Sequence, residues 1–290
     1  MISRPQAAPP AEGAAVHAEA DYSNLRRISD TEFVRFKTLA KSIAGIHLSD
    51  AKKALVCGRL SRRLTHYGLA TYGEYFKLIE SGREPNELQT ALDLLTTNET
   101  YFFREPKHFD FLRQRILPER KPGAPFRLWS AASSSGEEPY TLAMILADVL
   151  GESPWEIVAS DLSTRVLEKA QRGIYPLERA QNIPQHYLKA YCLKGVGVQA
   201  GNFVIDRRLR TRVRFLQVNL NHALPGLGEF DVVFLRNVMI YFDLATKRQV
   251  IGRILSALKP GGWLMVGHSE SLNGITEDVR AAAPSIYCKG

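Results

Sequence analysis

Two adjacent carboxylates, Glu137 and Glu138, follow a run of seven small residues from Ser130 to Gly136. The apolar pattern around this run predicts a buried strand over 126–130 and a helix over 138–150, the opening unit of an α/β nucleotide-binding domain. A turn that binds phosphate uses backbone N–H groups and basic side chains, which two carboxylates would oppose. They favour S-adenosylmethionine, which has ribose hydroxyls, an ammonium and a sulfonium. Alternatively, both acids only stabilise the helix N-terminus through its dipole.

Asp161 extends this pattern, because it ends a second predicted strand over 156–160 and precedes a predicted helix over 163–171. It lies 25 positions after Gly136, close to the spacing at which a dinucleotide fold places an acid on ribose hydroxyls. A single Asp at a strand end is often only a helix cap. Together with the first turn, it favours a ligand site.

A third group of polar residues follows the predicted buried strand over 231–235. Arg236, Asn237 and Tyr241 come directly after its apolar run. In open α/β sheets, ligands bind outside the carboxyl ends of the strands. These residues are therefore candidates for the site rather than for the core.

The composition of the 290-residue chain, with a net charge of +8 and a pI near 9.4, suggests an acidic partner. Three widely spaced cysteines predict a reducing compartment without a disulfide framework. Neither they nor the histidines show metal-ligand spacing, so we predict no metal and take His268 as structural or substrate-facing.

We find no apolar run of membrane-spanning length and no signal peptide, so we expect a cytoplasmic protein.

The chain divides into three predicted regions. Residues 1–24, rich in Ala and Pro, predict a disordered tail. Residues 25–97 predict a small helical domain, with helices over 31–44, 50–67, 71–81 and 86–96. Lys52, Arg59 and Arg63 form a basic stripe on the second of these helices, which is either a solvated face or a docking surface for an acidic helix.

Residues 98–290 predict a parallel sheet covered on both faces by helices, because strands and helices alternate. Besides the strands already named, we predict strands over 212–218, 262–267 and 285–289 and a helix over 243–258. The segment from Leu258 to Gly262 predicts a turn. A small antiparallel insert is expected over about 190–212.

Five segments in order resemble the CheR family of chemotaxis methyltransferases, which methylate glutamates of bacterial chemoreceptors. They are Leu95–Glu105, Trp129–Tyr140, Ala159–Asp161, Arg236–Phe242 and Leu258–Gly262. The resemblance implies a class I S-adenosylmethionine-dependent methyltransferase, with a Rossmann-like sheet, an N-terminal helical domain and an inserted β-subdomain. It implies a product S-adenosylhomocysteine, glutamyl methyl esters on the receptor, and no nucleic acid as partner.

The resemblance also implies roles for individual residues. Those expected to contact the cofactor are Asn98, Thr100, Arg104, Glu138, Asp161, Asn219, Leu220, Arg236 and Asn237. Arg104 and Tyr241 are expected to arrange the reaction. The basic stripe corresponds to the receptor-facing surface, and the β-subdomain corresponds to a site for a receptor C-terminal peptide in some members. We expect a monomer that does not insert into the membrane.

Two other classes of protein fit the sequence less well. Nucleic-acid base methyltransferases place an Asn/Asp-Pro-Pro-aromatic segment after the fourth strand to grip a flipped base, where this chain has Arg236-Asn-Val-Met. A non-enzymatic adaptor would be signalled by loss of Arg104, Asp161 or the Glu137–Glu138 pair, all of which are present.

Overall fold

The computed structural model describes residues 27–290. The tail predicted over residues 1–24 lies outside this range. The first described part is a helical domain with four α-helices and a short 3-10 turn at Asp50–Lys52. Its helices are α1 (Asp30–Ala44), α2 (Lys53–His66), α3 (Tyr72–Ser81) and α4 (Glu87–Leu95).

Local sequence signals fix the ends of α1 and α3. Ser29 and Thr71 cap their N-termini, and each forms a capping box with a glutamate three residues later. Gly45 and Gly82 end the same helices in the left-handed conformation. These signals place the helices within two residues of their predicted bounds.

The sequence reasoning missed the helix that links the two domains. It comprises α5 (Pro106–Phe111), a π-helical turn (Leu112–Ile116) and α6 (Leu117–Glu119). Its buried face, including Phe109 and Leu112, packs into the core of the second domain. The helix therefore fixes where the preceding polar segment sits relative to the sheet.

The second domain is built on a seven-stranded sheet of order β6-β2-β1-β7-β8-β10-β9. The first five of these neighbours are parallel, and β10 is antiparallel to both β8 and β9. The strands are β1 (Phe126–Ser130), β2 (Trp155–Asp161), β6 (Val213–Gln217), β7 (Phe230–Leu235), β8 (Leu258–Val266), β9 (Val279–Ala283) and β10 (Ile286–Lys289). The mostly parallel sheet agrees with the predicted fold class, although β9 was not predicted.

Helices cover both faces of the sheet. Alternate residues of β1 point to opposite faces, so that Leu128 joins one core and Trp129 the other. The first core includes the apolar face of α7 (Glu137–Leu150), and the second includes that of α11 (Leu244–Ser256). The helix α8 (Thr164–Arg172) follows β2.

The antiparallel insert is larger than the prediction of about 190–212. Its sheet has the order β3-β5-β4 and begins at Ile174. The elements are β3 (Ile174–Pro176), a 3-10 helix (Leu177–Asn182), α9 (Gln185–Tyr191), β4 (Cys192–Lys194), a 3-10 turn (Gly197–Gln199), β5 (Asn202–Ile205) and α10 (Arg207–Arg210). The three-residue strand β3 is too short to show an alternating pattern, which explains why the sequence did not reveal it.

The prediction of a turn from Leu258 to Gly262 was wrong about the type of structure, because these residues belong to the start of β8. The preceding helix α11 ends at Ser256. The pairing of β7 with β8 is irregular between Phe230 and Val232. The Pro-Gly-Gly sequence is thus accommodated as an irregular strand segment.

No helix among residues 27–290 combines the length and apolar character needed to cross a membrane.

Candidate active site

A cleft opens at the carboxyl ends of β1, β2 and β7, against the helical domain. It holds about 1200 Å³ of non-protein space, counting its open mouth. Every cofactor-binding or catalytic residue predicted from the sequence lines this cleft. They are Asn98, Thr100, Arg104, Glu138, Asp161, Asn219, Leu220, Arg236, Asn237 and Tyr241. Most of them follow parallel strands whose carboxyl ends share one edge of the sheet, whereas Asn98, Thr100 and Arg104 lie on the segment between α4 and α5.

The small-residue turn after β1 lies tightly against its surroundings. Gly136 has a φ of 97°, and a Cβ there would lie 2.8 Å from both Ala170 Cβ and Tyr175 Oη. Only glycine fits this position without strain. The turn is also tied to the end of β2, since the Ser134 N–H donates to Asp161 Oδ2 at 2.9 Å. Its small side chains leave the backbone close to the cleft.

The two acids after the turn have different surroundings. Glu137 is buried outside the lining of the cleft and accepts a hydrogen bond from Ser135 Oγ at 2.7 Å. Burial raises the pKa of Glu137. Glu138 lines the cleft, where its Oε1 accepts from Ser130 Oγ at 2.7 Å. The interpretation of both acids as ligand-facing therefore holds for the position of Glu138 only.

Arg236 organises a buried charge cluster at the base of the cleft. Its side chain is 2% exposed and forms ion pairs with Glu138 at 2.8 Å and Glu105 at 3.0 Å. It also donates to the Arg104 carbonyl at 2.5 Å. Burial alone would raise the pKa of Glu105, but the charge of Arg236 lowers it below the usual value. Two carboxylates are thus held around one guanidinium.

Left-handed backbone accompanies this cluster. Glu105 has a φ of 58° and Asn237 a φ of 57°, a region that costs non-glycine residues roughly 1–3 kcal/mol. Asn237 Nδ2 donates to Glu105 Oε1 at 3.2 Å, and the Asn237 N–H donates to Glu270 Oε2 at 2.8 Å. These bonds hold both residues in their strained conformations and direct their side chains to the cluster.

Asp161 is 9% exposed at the end of β2. Its Oδ1 accepts from the Ser163 N–H at 2.9 Å, and its Oδ2 accepts from Ser134. Burial raises its pKa, although these backbone hydrogen bonds oppose the shift. Each carboxylate oxygen can accept a second hydrogen bond, so Asp161 can bind ligand hydroxyls while it holds the turn.

Arg104 and Tyr241 are half-buried in the wall of the cleft. Arg104 donates to the Glu99 carbonyl at 2.9 Å and forms no salt bridge within residues 27–290. Burial raises the pKa of Tyr241, although the positive charge of Arg104 opposes the shift. The phenol therefore keeps its proton at neutral pH and can donate a hydrogen bond. Together they offer a cation and a donor to a substrate.

The helical domain is anchored to the cleft at several points. Asn219 Nδ2 donates to the Ile43 carbonyl at 2.7 Å, and the His47 N–H donates to the Tyr241 carbonyl at 2.7 Å. Directly after the helical domain, the Asn98 carbonyl accepts from Ser134 Oγ at 3.0 Å. The first domain therefore forms one wall of the site.

Comparison with known proteins matches both domains to one family. The model described as the CheR methyltransferase all-alpha domain matches residues 31–96, and the one described as the CheR methyltransferase SAM binding domain matches residues 98–288. The Escherichia coli "Chemotaxis protein methyltransferase" is 41% identical over 90% of this chain and 91% of its own length. "Chemotaxis protein methyltransferase 2" of Pseudomonas aeruginosa is 40% identical, over 88% of this chain and 92% of its own.

The chain belongs to the CheR methyltransferase family. It is an S-adenosylmethionine-dependent methyltransferase, as the sequence predicted. The polar side chains that line its cleft fit this cofactor. Asp161 offers acceptors for hydroxyl groups, and Glu138 offers negative charge to a cationic ligand.

The expected basic stripe of this CheR protein is not one free surface. Arg63 is paired with the buried carboxylate of Glu87, which its Nε reaches at 2.7 Å. Arg59 donates to the carbonyls of Leu95 and Thr96 at 3.1 and 2.9 Å. Both arginines therefore bind α4 and its end, and a docking role for the three residues stays a prediction. Only Lys52 of the three is exposed, and it lies at the cleft.

Sequence reasoning missed two acids that shape the site. Glu105 follows Arg104 directly, and Glu270 is 8% exposed and accepts backbone hydrogen bonds from Gly267 and Asn237. Both lie in segments next to predicted strands or motifs. A rule that flags acids after β8, and not only after β1 and β2, would have found Glu270.

Proposed function

We propose that this protein transfers the methyl group of S-adenosylmethionine to glutamate side chains in the cytoplasmic domain of chemotaxis receptors. The products are glutamyl methyl esters, which serve adaptation, and S-adenosylhomocysteine. The observation that carries the proposal is the placement of Arg104 and Tyr241 in the wall of an acid-lined cleft. The family and the names of the relatives support the receptor as substrate.

The chemistry requires orientation more than proton transfer. A glutamate with a pKa near 4.3 is ionised at neutral pH, so it needs no general base. When bound, S-adenosylmethionine supplies a methyl group activated by a positive sulfur. A substrate carboxylate oxygen would bond to that methyl carbon as the C–S bond breaks, and the electron pair would leave with sulfur, giving the neutral thioether of S-adenosylhomocysteine. Alignment of reacting groups can supply roughly 7–11 kcal/mol.

The residues of the wall suit this alignment. The guanidinium of Arg104 can hold a substrate carboxylate in a fixed orientation, and no acid of residues 27–290 forms a salt bridge with it. Tyr241 keeps its proton and can donate one hydrogen bond to the substrate or the cofactor. Glu138 and Asp161, which also line the cleft, are the proposed cofactor contacts.

A methylation assay tests this proposal directly. The protein is incubated with methyl-labelled S-adenosylmethionine and receptor cytoplasmic fragments, and the labelled product is treated with mild alkali. A glutamyl methyl ester releases labelled methanol, and receptor variants with Glu→Ala at the labelled positions lose the signal. Label that resists alkali, or that enters added nucleic acid instead, would contradict the proposal.

We further propose that the β-subdomain holds a short peptide from the receptor C-terminus. Its strand β4 lies at an edge of the small sheet, where an added strand can pair. Leu193 in this strand is 57% exposed, and Val196 and Val198 after it are 81% and 99% exposed. Fluorescence anisotropy of labelled receptor C-terminal peptides tests this, with Val196→Asp expected to weaken binding. Equal affinity of the variant, or no binding by either protein, would contradict it.

A further inference from the structure

Three side chains meet behind the charge cluster of the cleft. Glu105, His108 and His268 bring one ligand atom each to within 4.8 Å of one another. Glu105 Oε2 lies 3.6 Å from His108 Nδ1 and 3.9 Å from His268 Nε2. The residues come from the two ends of the domain, at α5 and after β8, which explains why sequence spacing did not reveal them.

The hydrogen bonds of His108 fix its tautomer. Ser285 Oγ lies 2.7 Å from the Pro284 carbonyl, which can only accept, so the hydroxyl hydrogen is used there. Ser285 Oγ must then accept from His108 Nε2, at 2.8 Å. The proton of the imidazole is therefore on Nε2, and Nδ1 carries a lone pair.

This lone pair lacks a suitable neighbour. His108 is 0% exposed, and its Nδ1 has no hydrogen-bond partner within residues 27–290. The atom faces Glu105 Oε2, which carries negative charge and also only accepts. A buried acceptor without a partner is costly. Glu105 Oε2 already accepts from Arg236 and from the His268 N–H at 3.1 Å, so the unpartnered atom is His108 Nδ1, which a cation bound there would satisfy.

We propose that Glu105, His108 and His268 form a binding site for a divalent transition-metal ion of the Zn²⁺ class. Two imidazole nitrogens and one carboxylate oxygen are ligands that such ions prefer. Bonds of about 2.0–2.1 Å place tetrahedral ligands roughly 3.4 Å apart, so small movements of the side chains suffice. His268 is 45% exposed and free to make them.

The surroundings support a cation at this place. Ser285 holds the second nitrogen of His108, as outer groups commonly do for metal-binding histidines. Two carboxylates, Glu105 and Glu138, pair with one guanidinium, that of Arg236. The excess of negative charge offsets the repulsion between Arg236 and the ion.

The site is coupled to the cofactor cleft through Glu105. Its Oε2 accepts from Arg236 at 3.0 Å and would also be the metal ligand. A bound ion would therefore compete with Arg236, which lines the cleft and holds Glu138. By linkage, the ion and the cationic methyl donor should each weaken the binding of the other.

Calorimetry on untagged, chelator-treated full-length protein tests the site with ZnCl₂ as probe. We expect one ion per chain, with binding at least about 10-fold weaker in His268→Gln. His222→Gln, an exposed histidine outside the cluster, is the matched control and should bind as the wild type does. Bound Co²⁺ should give the visible absorption of a low-coordinate site in wild type only.

Two further measurements keep the test decisive. His108→Gln should also lose the ion, and circular dichroism checks that this variant is folded. If it does not fold, the result for His268→Gln, a substitution at an exposed position, decides the test. Affinity for S-adenosylmethionine should fall when Zn²⁺ is present in wild type but not in His268→Gln. Wild type that binds no Zn²⁺ at 100-fold excess over protein, or binding unchanged in His268→Gln, would overturn the proposal.

Discussion

Two buried guanidinium–carboxylate clusters, one in each domain, show how similar groups serve different ends. In the helical domain, both oxygens of Glu87 are held by Arg63, Tyr67 and Tyr75. In the catalytic domain, Arg236 lies between Glu105 and Glu138, and its Nε has no hydrogen-bond partner within residues 27–290. The first cluster is closed, and the second lines a cavity.

The difference lies in what remains available for a ligand. Glu87 is 3% exposed and has every oxygen occupied from its own domain. Such a saturated network stabilises and orients the fold. Glu138 and Asp161 instead keep acceptor capacity at the surface of the cleft. The structural cluster therefore differs from the binding site in whether its carboxylate oxygens can accept further hydrogen bonds, rather than in burial or charge.

The largest expected effect is on stability, from Glu87→Gln. Removing one partner of a buried ion pair typically costs about 3 kcal/mol or more, because the other charge stays buried. Arg63 is only partly exposed, at 23%, so a value near 3 kcal/mol is expected. Urea unfolding followed by circular dichroism measures it. A loss below about 1 kcal/mol would show that the cluster is not structural.

The same variant gives a pH dependence with a defined sign. Burial alone would raise the pKa of Glu87, but Arg63 and the tyrosines lower it below 4.5. Its contribution is therefore full above pH 4.5 and is lost as pH falls through the folded-state pKa. The stability difference between wild type and Glu87→Gln should be constant near neutral pH and shrink in acid. A difference that grows in acid would reverse the assignment.

The next effect is on catalysis, from Arg104→Ala. Loss of a positioning group costs on the order of 100-fold in methyl transfer, while the melting temperature should change little because the side chain forms no salt bridge within the described residues. Arg115→Ala, an exposed arginine outside the cleft lining, is the control. Near-normal turnover by a folded Arg104→Ala variant would remove Arg104 from the mechanism.

A smaller effect is expected on cofactor affinity, from Asp161→Ala. Loss of a charge-assisted hydrogen bond should weaken S-adenosylmethionine binding by about 1–3 kcal/mol. Part of this loss comes from the turn, because Asp161 also holds Ser134 and Ser163. Calorimetry measures the affinity, with the exposed Asp110→Ala as control. Unchanged affinity would exclude Asp161 as a ligand contact.

The residues that line the cleft could be predicted largely from the sequence, because the end of a strand is visible in the local pattern of residues. Asp161, Arg236 and Asn237 each follow an apolar run, and the parallel sheet brings such ends together. Pairings between distant segments were not predictable. No pattern near Arg63 indicates that Glu87 pairs with it across two helices, and no pattern near Glu105 indicates its left-handed backbone.

The smallest effect concerns receptor docking. The contacts within the helical domain leave Lys52 as the one residue of the basic stripe that can be tested for docking without disturbing the fold. Reversing Arg63 would break the closed cluster, and reversing Arg59 would remove hydrogen bonds to α4. A loss of activity in a triple variant could thus reflect unfolding. Lys52 is exposed, lies at the mouth of the cleft and forms no salt bridge within residues 27–290. It is therefore the residue whose charge can be reversed cleanly.

Lys52→Glu should raise the apparent KM for an acidic receptor fragment a few-fold at low salt and leave the affinity for S-adenosylmethionine unchanged. Exposed charges are screened beyond about 8 Å at physiological ionic strength, so the gap between variant and wild type should narrow as salt rises. Lys77→Glu makes the same charge change on α3, outside the cleft lining. If both variants raise KM equally, only net charge matters. If neither does at any salt concentration, Lys52 is a solvated side chain without a docking role.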